Sequence, residues 1–416
     1  MCGIAGYHGT SIAPERAADH LARMVAALRH RGPDGEGMLL RDETGLAHTR
    51  LSIVGLSDGA QPMERAEAGL AVSFNGEIFN YVELRENLDA RGHRFRTASD
   101  TEVLLAAYAE KGLDCLADFN GDFAFALHDE RTRTLVLARD RMGVRPLFYA
   151  EHEGALFFAS EIAALLALPG MAAEIDPLAL DQIFTLWCPI PPRTAFRGIH
   201  ELPPGHVMTV RDGERTIRPW WQLSYPDRGD VPPAAPVAAQ AEELRALLAD
   251  ATRIRLRADV PVGAYLSGGL DSSFIAALAA RTVTRGLSTF SLTFRSEEHD
   301  ERGWQQKMAA TLDAAADSVE CSTDAIVAGM PAVMPQIGCP ILRTAPVPLH
   351  LLSARVRERG MKVVLTGEGA DEIFAGYDLH RREGRLFQYD VTGGRYAAND
   401  HAATGSGSLH ASTVVK

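Results

Sequence analysis

The spacing of hydrophobic positions changes halfway along the chain. In the first half they form short runs rich in β-branched and aromatic residues, which is typical of β-strands. The clearest of these runs are residues 70–74, 134–138, 147–149 and 155–159. Because they follow one another without regular helical crossovers, they predict antiparallel sheets with interspersed helices.

Two local signals refine this pattern. Asn75-Gly76, between residues 70–74 and 77–79, predicts a hairpin turn. Ser99 followed three residues later by Glu102 predicts a capping box at the start of a helix.

The second half alternates hydrophobic runs with helical periodicity. Strands are predicted at residues 262–266, 287–294 and 362–365, and helices at residues 272–281 and 301–312. Strands that alternate with helices predict crossover units and a parallel sheet.

A Pro- and Asp-rich stretch separates these two patterns at residues 223–236 and predicts an interdomain linker. Residues 391–416 are rich in Gly, Ser, Thr and His, lack apolar periodicity, and predict a disordered tail. We therefore expect one domain over residues 1–215, a linker over 216–236, a second domain over 237–390 and a tail over 391–416.

Composition supports a two-domain globular protein. The chain has 416 residues, 46% of them hydrophobic, and a formal net charge of −12 without a basic block, which argues against a nucleic-acid binder. Its five cysteines are widely spaced and form no Cys-x-x-Cys pair, so neither a disulfide framework nor structural zinc is expected. No signal peptide or membrane-length apolar run is present in the sequence, and we expect a cytoplasmic protein without a membrane partner.

Cys2 directly follows the initiator methionine. If Met1 is removed, the thiol and a free α-amine share one residue, and the amine, with an ordinary pKa of about 8, can take the thiol proton. Cys2 is therefore a candidate nucleophile that carries its own base.

Other residues of the first half suit the cleavage of a carboxamide. The Asn75 side chain and the Gly76 N–H are candidate donors to an oxyanion, and Arg50 and Asp100 are candidate partners for the α-carboxylate and α-ammonium of a free amino acid. Taken singly, each has a simpler structural interpretation as a turn or as a solvated surface charge.

A glycine- and serine-rich loop follows the predicted strand at residues 262–266 and opens a helix. Two glycines allow close approach of a ligand, and the helix N-terminus offers free N–H groups to phosphate. The loop contains Ser267, Gly268, Gly269, Leu270, Asp271, Ser272 and Ser273. It is not a Walker A loop, because no Gly-Lys-Ser/Thr occurs in the chain.

An acidic block, Thr366-Gly-Glu-Gly-Ala-Asp-Glu372, follows the strand predicted at residues 362–365. Ligands collect at the carboxyl ends of parallel strands, and Mg²⁺ prefers carboxylate and phosphate oxygens. Asp271 and Asp371 are the candidate magnesium ligands.

The order of these blocks resembles two known families. The start at Met1-Cys-Gly-Ile4, Arg31-Gly-Pro-Asp34, the block from Arg50, Phe74-Asn-Gly-Glu77, Gly121-Asp122 and the block Asp140 to Phe148 are similar to class II glutamine amidotransferases. The loop at residues 267–273 resembles the pyrophosphate loop of ATP pyrophosphatases. Together they resemble glutamine-hydrolysing asparagine synthetases. This resemblance implies an α+β N-terminal-nucleophile sandwich, with antiparallel sheets between helices, followed by an α/β PP-loop domain with a parallel sheet.

The resemblance also implies roles for individual residues. Cys2 would be the glutaminase nucleophile, Asn75 and Gly76 the oxyanion hole, and Glu368 an aid to formation of a β-aspartyl adenylate. The residues implied to bind glutamine are Arg50, Leu51, Ser52, Ile53, Val54, Asn75, Gly76, Glu77 and Asp100. Those implied to bind ATP are Leu266, residues 267–273, Leu292, Asp300, Thr366 and Gly367. The implied substrates are glutamine, aspartate and ATP with Mg²⁺, and family members are often homodimers.

The resemblance stops near residue 389, although family members continue further. We therefore expect a C-terminally shortened synthetase domain, in which Arg381, Arg382 or Arg385 would have to replace a basic residue near the reacting centre. The alternatives are a cyclase or amidotransferase that acts on another carboxylate, as in β-lactam synthetases and lasso-peptide cyclases, and a glutaminase or regulatory protein without synthetase activity.

Overall fold

The computed structural model describes residues 1–225, 227, 229–230, 235–284, 286–295, 300–374 and 376. The predicted tail, Arg381, Arg382 and Arg385, and part of the predicted linker lie outside the described residues. Among the described residues, no helix is both long enough and apolar enough to cross a membrane.

The first part of the chain is mainly β-structure. Its strands are β1 (Gly3–His8), β2 (Gly35–Leu40), β3 (Thr44–Arg50), β4 (Met63–Arg65), β5 (Leu70–Ile78), β6 (Gly121–Asp129), β7 (Thr134–Arg139), β8 (Phe148–His152), β9 (Ala155–Ala159), β10 (Ile199–Glu201), β11 (His206–Arg211) and β12 (Glu214–Pro219). Its α-helices are α1 (Pro14–Leu28), α2 (Tyr81–Ala90), α3 (Asp100–Lys111), α4 (Ile162–Leu166) and α5 (Pro177–Leu186).

The second part alternates helices and strands. Its strands are β13 (Val262–Tyr265), β14 (Ser288–Phe294), β15 (Ala315–Cys321) and β16 (Val363–Leu365). Its helices are α6 (Val237–Arg255), α7 (Leu270–Thr282), α8 (Arg302–Thr311), α9 (Thr323–Ile337), α10 (Pro346–Glu358) and α11 (Ala370–Phe374).

Two antiparallel six-stranded sheets form the centre of the first part. Their strand orders are β10-β8-β9-β1-β3-β2 and β12-β11-β7-β6-β5-β4. Apolar side chains from both sheets, including Ile4, Leu46, Leu137 and Met208, are buried in one cluster between them. Helices α1 and α4 pack on the outer face of the first sheet, and α2 and α3 pack on the second. The predicted sandwich of antiparallel sheets between helices is confirmed.

The second part contains a four-stranded sheet in the order β15-β14-β13-β16. All three of its pairings are parallel. The predicted α/β domain with a parallel sheet is also confirmed, and β15 is a strand that the sequence pattern did not predict.

The predicted hairpin at Asn75-Gly76 is wrong. Both residues lie inside the continuous strand β5, where Asn75 pairs with Ala124 and Gly76 pairs with Phe123. Gly76 has φ +155°, and a Cβ there would lie 2.2 Å from the carbonyl oxygen of Asp122. The glycine is therefore needed for close approach of two neighbouring strands rather than for a turn.

The predicted capping box is only half correct. The Ser99 hydroxyl caps α3 by accepting a hydrogen bond from the Thr101 N–H. The carboxylate of Glu102 instead accepts hydrogen bonds from the N–H groups of Arg96 and Thr97 and so holds the preceding loop.

Candidate active site

A pocket at one end of the two antiparallel sheets contains most of the predicted glutamine-site residues. The side chains or backbone that line it belong to Met1, Cys2, Arg50, Leu51, Ile53, Val54, Gly59, Gln61, Phe74, Asn75, Gly76, Glu77, Ser99, Asp100, Thr101 and Arg145. Cys2 directly precedes β1, Arg50 ends β3, and Asp100 begins α3, so several elements converge on the pocket. Among the predicted glutamine-binding residues, only Ser52 does not line it.

The thiol of Cys2 is held against the loop that follows β3. Its Sγ accepts a hydrogen bond from the Leu51 N–H at 3.3 Å and lies 3.6 Å from the Leu51 carbonyl oxygen, to which it can donate. The Cys2 carbonyl oxygen accepts a hydrogen bond from Arg31 at 2.9 Å, and Arg31 is paired with Glu161 at 2.6 Å. These contacts fix the backbone of the nucleophile candidate, and Arg31 was not assigned this role from the sequence.

Burial changes the ionisation of both groups at the chain start. It raises the pKa of the Cys2 thiol. Burial, assisted by the nearby Arg31, lowers the pKa of the Met1 α-amine to about 5. The Met1 α-amine is therefore uncharged at neutral pH, and only the uncharged form of an amine can accept a proton.

Two donors on β5 are available for an oxyanion. The Asn75 amide nitrogen Nδ2 is buried and has no hydrogen-bond partner in the described part of the chain. The neighbouring Gly76 N–H lies between those of Phe74 and Ile78, which donate to the Gln61 side chain and to the Asp100 carboxylate. Alternate N–H groups of a strand point to the same side. The Gly76 N–H therefore points away from β6 and towards the side on which Gln61 and Asp100 lie.

Of the two carboxylates that line the pocket, Asp100 is buried and Glu77 is partly buried, and loss of solvent raises the pKa of each. Glu77 has a pKa of about 7, and Asp100 has a pKa of about 6. Arg145 opposes the shift at Glu77, while the N–H groups of Ile78 and Thr101 oppose it at Asp100. At pH 7 Asp100 is largely ionised and Glu77 is near its midpoint, so the pocket offers negative charge to a cation.

Arg50 does not extend freely into the pocket. Its guanidinium donates to the carbonyl oxygens of Val54 and Leu56 at 3.3 Å each and to that of Gly55 at 2.5 Å. It therefore shapes the loop over residues 51–56 while one face of the residue lines the pocket. Arg145 and Gln61 also line the pocket and were missed; Arg145 lies in a sequence block that signalled the family but received no role.

A second group of predicted residues lies at the carboxyl ends of β13 and β16. The Ser267 and Ser272 hydroxyl groups lie 2.9 Å apart, and the Gly269 N–H donates to the Ser267 hydroxyl. Gly268 has φ +96°, and Gly269 is the N-cap residue of α7. Leu270, Asp271, Ser272 and Ser273 form the first turn of that helix, and Leu266 is buried beneath the loop.

The acidic block contacts this loop directly. A Cβ at Gly367 would lie 2.8 Å from the Ser272 nitrogen and 3.0 Å from the Asp271 Cβ, so only glycine allows this packing. Burial and the neighbouring Glu372 and Asp371 raise the pKa of Glu368. Leu292 and Ser267 are joined by Gln305, whose side-chain nitrogen donates to both of their carbonyl oxygens.

The predicted magnesium ligands, Asp271 and Asp371, are a pair of carboxylates and do not form a complete protein coordination shell. Among the described residues, no group of three or more His, Cys, Asp or Glu side chains could hold a metal ion. Magnesium commonly takes one or two protein carboxylates and completes its shell with phosphate oxygens and water. The first turn of α7, with its serine hydroxyls and close-packed glycines, fits a phosphate group that would share such a metal.

Comparison with known proteins places the chain in a family. Residues 1–221 match the glutamine amidotransferase domain, and residues 243–408 match the asparagine synthase family. The chain therefore belongs to the glutamine amidotransferases, with an asparagine synthase region in its second part.

Named relatives match the chain across both of its parts. The chain is 33% identical over 384 residues to asparagine synthetase [glutamine-hydrolyzing] 1 of Bacillus subtilis, covering 92% of this chain and 60% of that protein. It is 36% identical over 410 residues to a putative asparagine synthetase [glutamine-hydrolyzing] of Mycobacterium tuberculosis, covering 94% and 62%. It is 32% identical over 413 residues to Amidase chry2 of Gibberella zeae, covering 92% and 60%. The chain thus spans about three fifths of the length of these relatives.

Proposed function

We propose that this protein hydrolyses glutamine at Cys2 and uses the ammonia, with ATP, to convert a carboxylate into an amide, with aspartate as the acceptor and asparagine as the product. The observation that carries the proposal is the buried Asn75 Nδ2, which has no hydrogen-bond partner among the described residues and lies beside the Gly76 N–H in the pocket that holds Cys2. Buried polar groups without partners are rare, and two donors beside a thiol suit a developing oxyanion.

In the first half-reaction, the Cys2 thiolate attacks the glutamine side-chain carbonyl. The proton of the Cys2 thiol passes to the α-amine of Cys2, which removal of Met1 leaves free, and then to the leaving nitrogen, which departs as ammonia. Water then hydrolyses the γ-glutamyl thioester to glutamate and restores the thiol. Asn75 and Gly76 would hold the oxyanion. Arg50 would bind the α-carboxylate, and Glu77 and Asp100 would bind the α-ammonium, with Leu51, Ser52, Ile53 and Val54 as the wall of the site.

In the second half-reaction, ATP would supply adenylate to the acceptor carboxylate and release pyrophosphate. Residues 267–273 would hold the phosphates, Leu266 and Leu292 the adenine, and Thr366, Gly367 and Asp300 the ribose and phosphates. Glu368 would assist adenylation, and Asp271 and Asp371 would hold Mg²⁺ together with the phosphates. The same proposal includes a glutaminase domain over residues 1–215 and a synthetase domain over residues 237–390, joined by a linker. It also includes a cytoplasmic location and a homodimer.

The test begins with glutamate release. Replacing Cys2 by Ser should abolish it, because a hydroxyl is a far weaker nucleophile than a thiol near neutral pH. Full activity in Cys2→Ser, or in a mature protein that keeps Met1, would refute the proposal. With aspartate, ATP·Mg²⁺ and either glutamine or ammonium chloride, AMP and asparagine should then form in equal amounts.

A second acceptor is favoured by one comparison. Not every relative of comparable identity is named an asparagine synthetase, since one is named an amidase, and another carboxylate is therefore kept as the alternative acceptor. Glutamine hydrolysis with AMP release that requires a carboxylate other than aspartate would select this alternative. Glutamine hydrolysis without AMP release from any carboxylate would select a glutaminase that lacks synthetase activity.

A further inference from the structure

The loop at residues 51–56 is held by residues far away in the chain. We propose that Asp259 and Lys362 are positioning residues for glutamine, which fix this loop from the second half of the chain. The inference rests on the proposed glutaminase function and assigns to the glutamine site two residues that do not line its pocket.

Asp259 binds the loop through both its side chain and its backbone. Its Oδ2 accepts a hydrogen bond from the Gly55 N–H at 2.8 Å, and its own N–H donates to the Ile53 carbonyl oxygen at 2.9 Å. Arg50 binds the carbonyl oxygens of the same loop from within the first half. Arg50 therefore binds carbonyl oxygens of the loop, and the Asp259 carboxylate, from the second half, binds the Gly55 N–H.

Lys362 provides a second attachment on the same loop. Its Nζ donates to Asp34 Oδ2 at 2.6 Å and to the Ser52 carbonyl oxygen at 3.2 Å. Asp34 Oδ2 also accepts the Ser52 N–H at 2.7 Å. Both charged side chains are about one-third exposed or less, at 30% and 27%, so the pair is only partly screened by solvent. Although burial acts to raise it, the pKa of Asp34 is lowered, chiefly by Lys362 and the Ser52 N–H.

Both positioning residues stand just before neighbouring strands of the parallel sheet. Lys362 directly precedes β16, and Asp259 lies three residues before β13; Val262 pairs with Val363 at the start of both strands. The opposite ends of these two strands carry Ser267-Gly268 and Thr366-Gly367. One strand pair thus joins the loop of the glutamine pocket to the proposed ATP loops.

The energetic role follows from the conformational entropy of the loop. A loop that is already fixed loses little freedom when glutamine binds, whereas a released loop must be ordered at that moment. Asp259 and Lys362 contact neither Cys2 nor the two oxyanion donors. Within the loop they bind Ser52, Ile53 and Gly55, and not Leu51, whose N–H binds the Cys2 thiol. Their loss should therefore weaken glutamine binding and leave the chemical step nearly unchanged, which is a change in KM with little change in kcat.

The experiment measures glutaminase kinetics of the full chain. Asp259→Ala and Lys362→Met should each raise KM for glutamine by about three- to tenfold, the range expected when one ordinary hydrogen bond is lost, with kcat within about twofold. Asp259→Asn keeps an oxygen acceptor for the Gly55 N–H and should restore most of the affinity. If Asp259→Ala fails to fold, Asp259→Asn and Lys362→Met still test the inference.

Matched controls distinguish an effect on the position of the loop from a general loss of protein stability. Glu83→Ala removes another contact between the halves, the ion pair with Arg257, which does not touch the loop. Lys111→Met removes an ion pair with Asp118 in the first half. Both controls should keep the KM of the unaltered chain. An unchanged KM in Asp259→Ala and Lys362→Met, or an equal rise in the controls, overturns the inference.

Amide hydrogen exchange gives a readout that does not need activity. The segment that contains residues 51–55 should exchange faster in Asp259→Ala than in the unaltered chain and in Glu83→Ala. If the unaltered chain hydrolyses no glutamine, the proposed function fails, and equal exchange of this segment in all three proteins then overturns the inference as well.

Discussion

At the scale of single residues, the pocket depends on polar groups that the fold leaves unpaired. The buried Asn75 amide nitrogen has no partner in the described residues, while the N–H groups on either side of Gly76 are both occupied by side chains. Buried donors without a partner are uncommon, and one that lies in a pocket is available to a bound ligand.

Replacing Asn75 by Ala should therefore impair chemistry more than binding. Loss of one oxyanion donor costs about 3 kcal/mol, so kcat for glutamine hydrolysis should fall about 100- to 1000-fold. Steady-state kinetics should show a much smaller change in KM. Asn75→Asp is the matched variant, because it keeps the size and removes the donor; equal activity of Asn75→Asp and the unaltered chain would contradict an oxyanion role.

The carboxylates of the pocket predict a dependence of glutamine binding on pH. Burial raises the pKa of Glu77 to about 7 and that of Asp100 to about 6, so both take up protons as the pH falls through this range. The pocket then loses the negative charge that would bind the substrate ammonium. KM for glutamine should rise as the pH is lowered from 8 to 5.

Glu77→Gln provides the check on this pH profile. The variant should bind glutamine more weakly at pH 8, and its KM should lose the part of the pH dependence that falls near pH 7. A profile of KM in Glu77→Gln that parallels the unaltered chain would show that Glu77 does not face the ammonium.

At the scale of elements, residues at the end of a strand and at the start of a helix form the site. Strand β5 carries Asn75, Gly76 and Glu77 in sequence, and α3 begins at Asp100 beneath the same strand. The Ser99 cap fixes that helix start by satisfying the Thr101 N–H. Helix α9 has an equivalent cap, since the Ser322 hydroxyl accepts the Ala325 N–H.

These two caps make a matched pair of variants. Ser99→Ala and Ser322→Ala should each lower the free energy of unfolding by about 1 kcal/mol, the typical value of a lost N-cap. Urea titration measures this loss. Only Ser99→Ala should also raise KM for glutamine, because Ser99 and Asp100 line the pocket and Ser322 does not. A similar KM in both variants would show that the α3 cap does not position the site.

At the scale of the whole molecule, the two antiparallel sheets enclose polar groups as well as apolar ones. His48 on β3 reaches across to the Ser73 hydroxyl on β5 at 3.2 Å, and that hydroxyl donates to the Ala47 carbonyl oxygen. Burial, with a smaller effect of Arg50, lowers the pKa of His48 to about 3. This contact joins the sheets, with His48 Nδ1 as the donor because the Ser73 proton is already used. Burial, and not the hydrogen bond, keeps the imidazole uncharged.

The histidine makes the protein sensitive to acid. In the unfolded chain His48 binds a proton below about pH 6.5, whereas in the folded chain it stays neutral until about pH 3. Its contribution to the free energy of unfolding therefore falls as the pH is lowered through this window. His48→Gln should lose less stability than the unaltered chain between pH 6.5 and 4, as measured by urea titration at each pH.

His206→Gln is the control for this measurement, because His206 is partly exposed and its described hydrogen bond is to the Pro204 carbonyl oxygen. It should reproduce the pH dependence of the unaltered chain. A parallel dependence in His48→Gln would show that the buried imidazole is not a source of acid sensitivity. The raised pKa values of Glu77 and Asp100 act in the opposite direction but are common to all three proteins.

The sequence by itself determined the fold class and the candidate chemistry. Strands that follow one another without helical crossovers predicted the antiparallel sheets, and strands that alternate with helices predicted the parallel sheet. Cys2, Asn75 and the loop at residues 267–273 were found because their residue types carry distinctive chemistry. Local pattern failed where a distant partner decided the conformation: Asn75-Gly76 formed no turn, since pairing with Ala124 and Phe123 keeps β5 extended through it.

Only the tertiary structure decided which groups meet. Arg31, Gln61 and Arg145 reach the site through folding. Arg31 and Arg145 lie in blocks that carried the family resemblance but gave no role to either residue, and Gln61 carries no local signal. The pKa values of Glu77 and Asp100 likewise depend on burial that no local pattern measures. The contacts of Asp259 and Lys362 with the glutamine loop join residues about 200 and 300 positions apart. Such contacts arise from the packing of whole elements, and the order of residues along the chain does not contain their geometry.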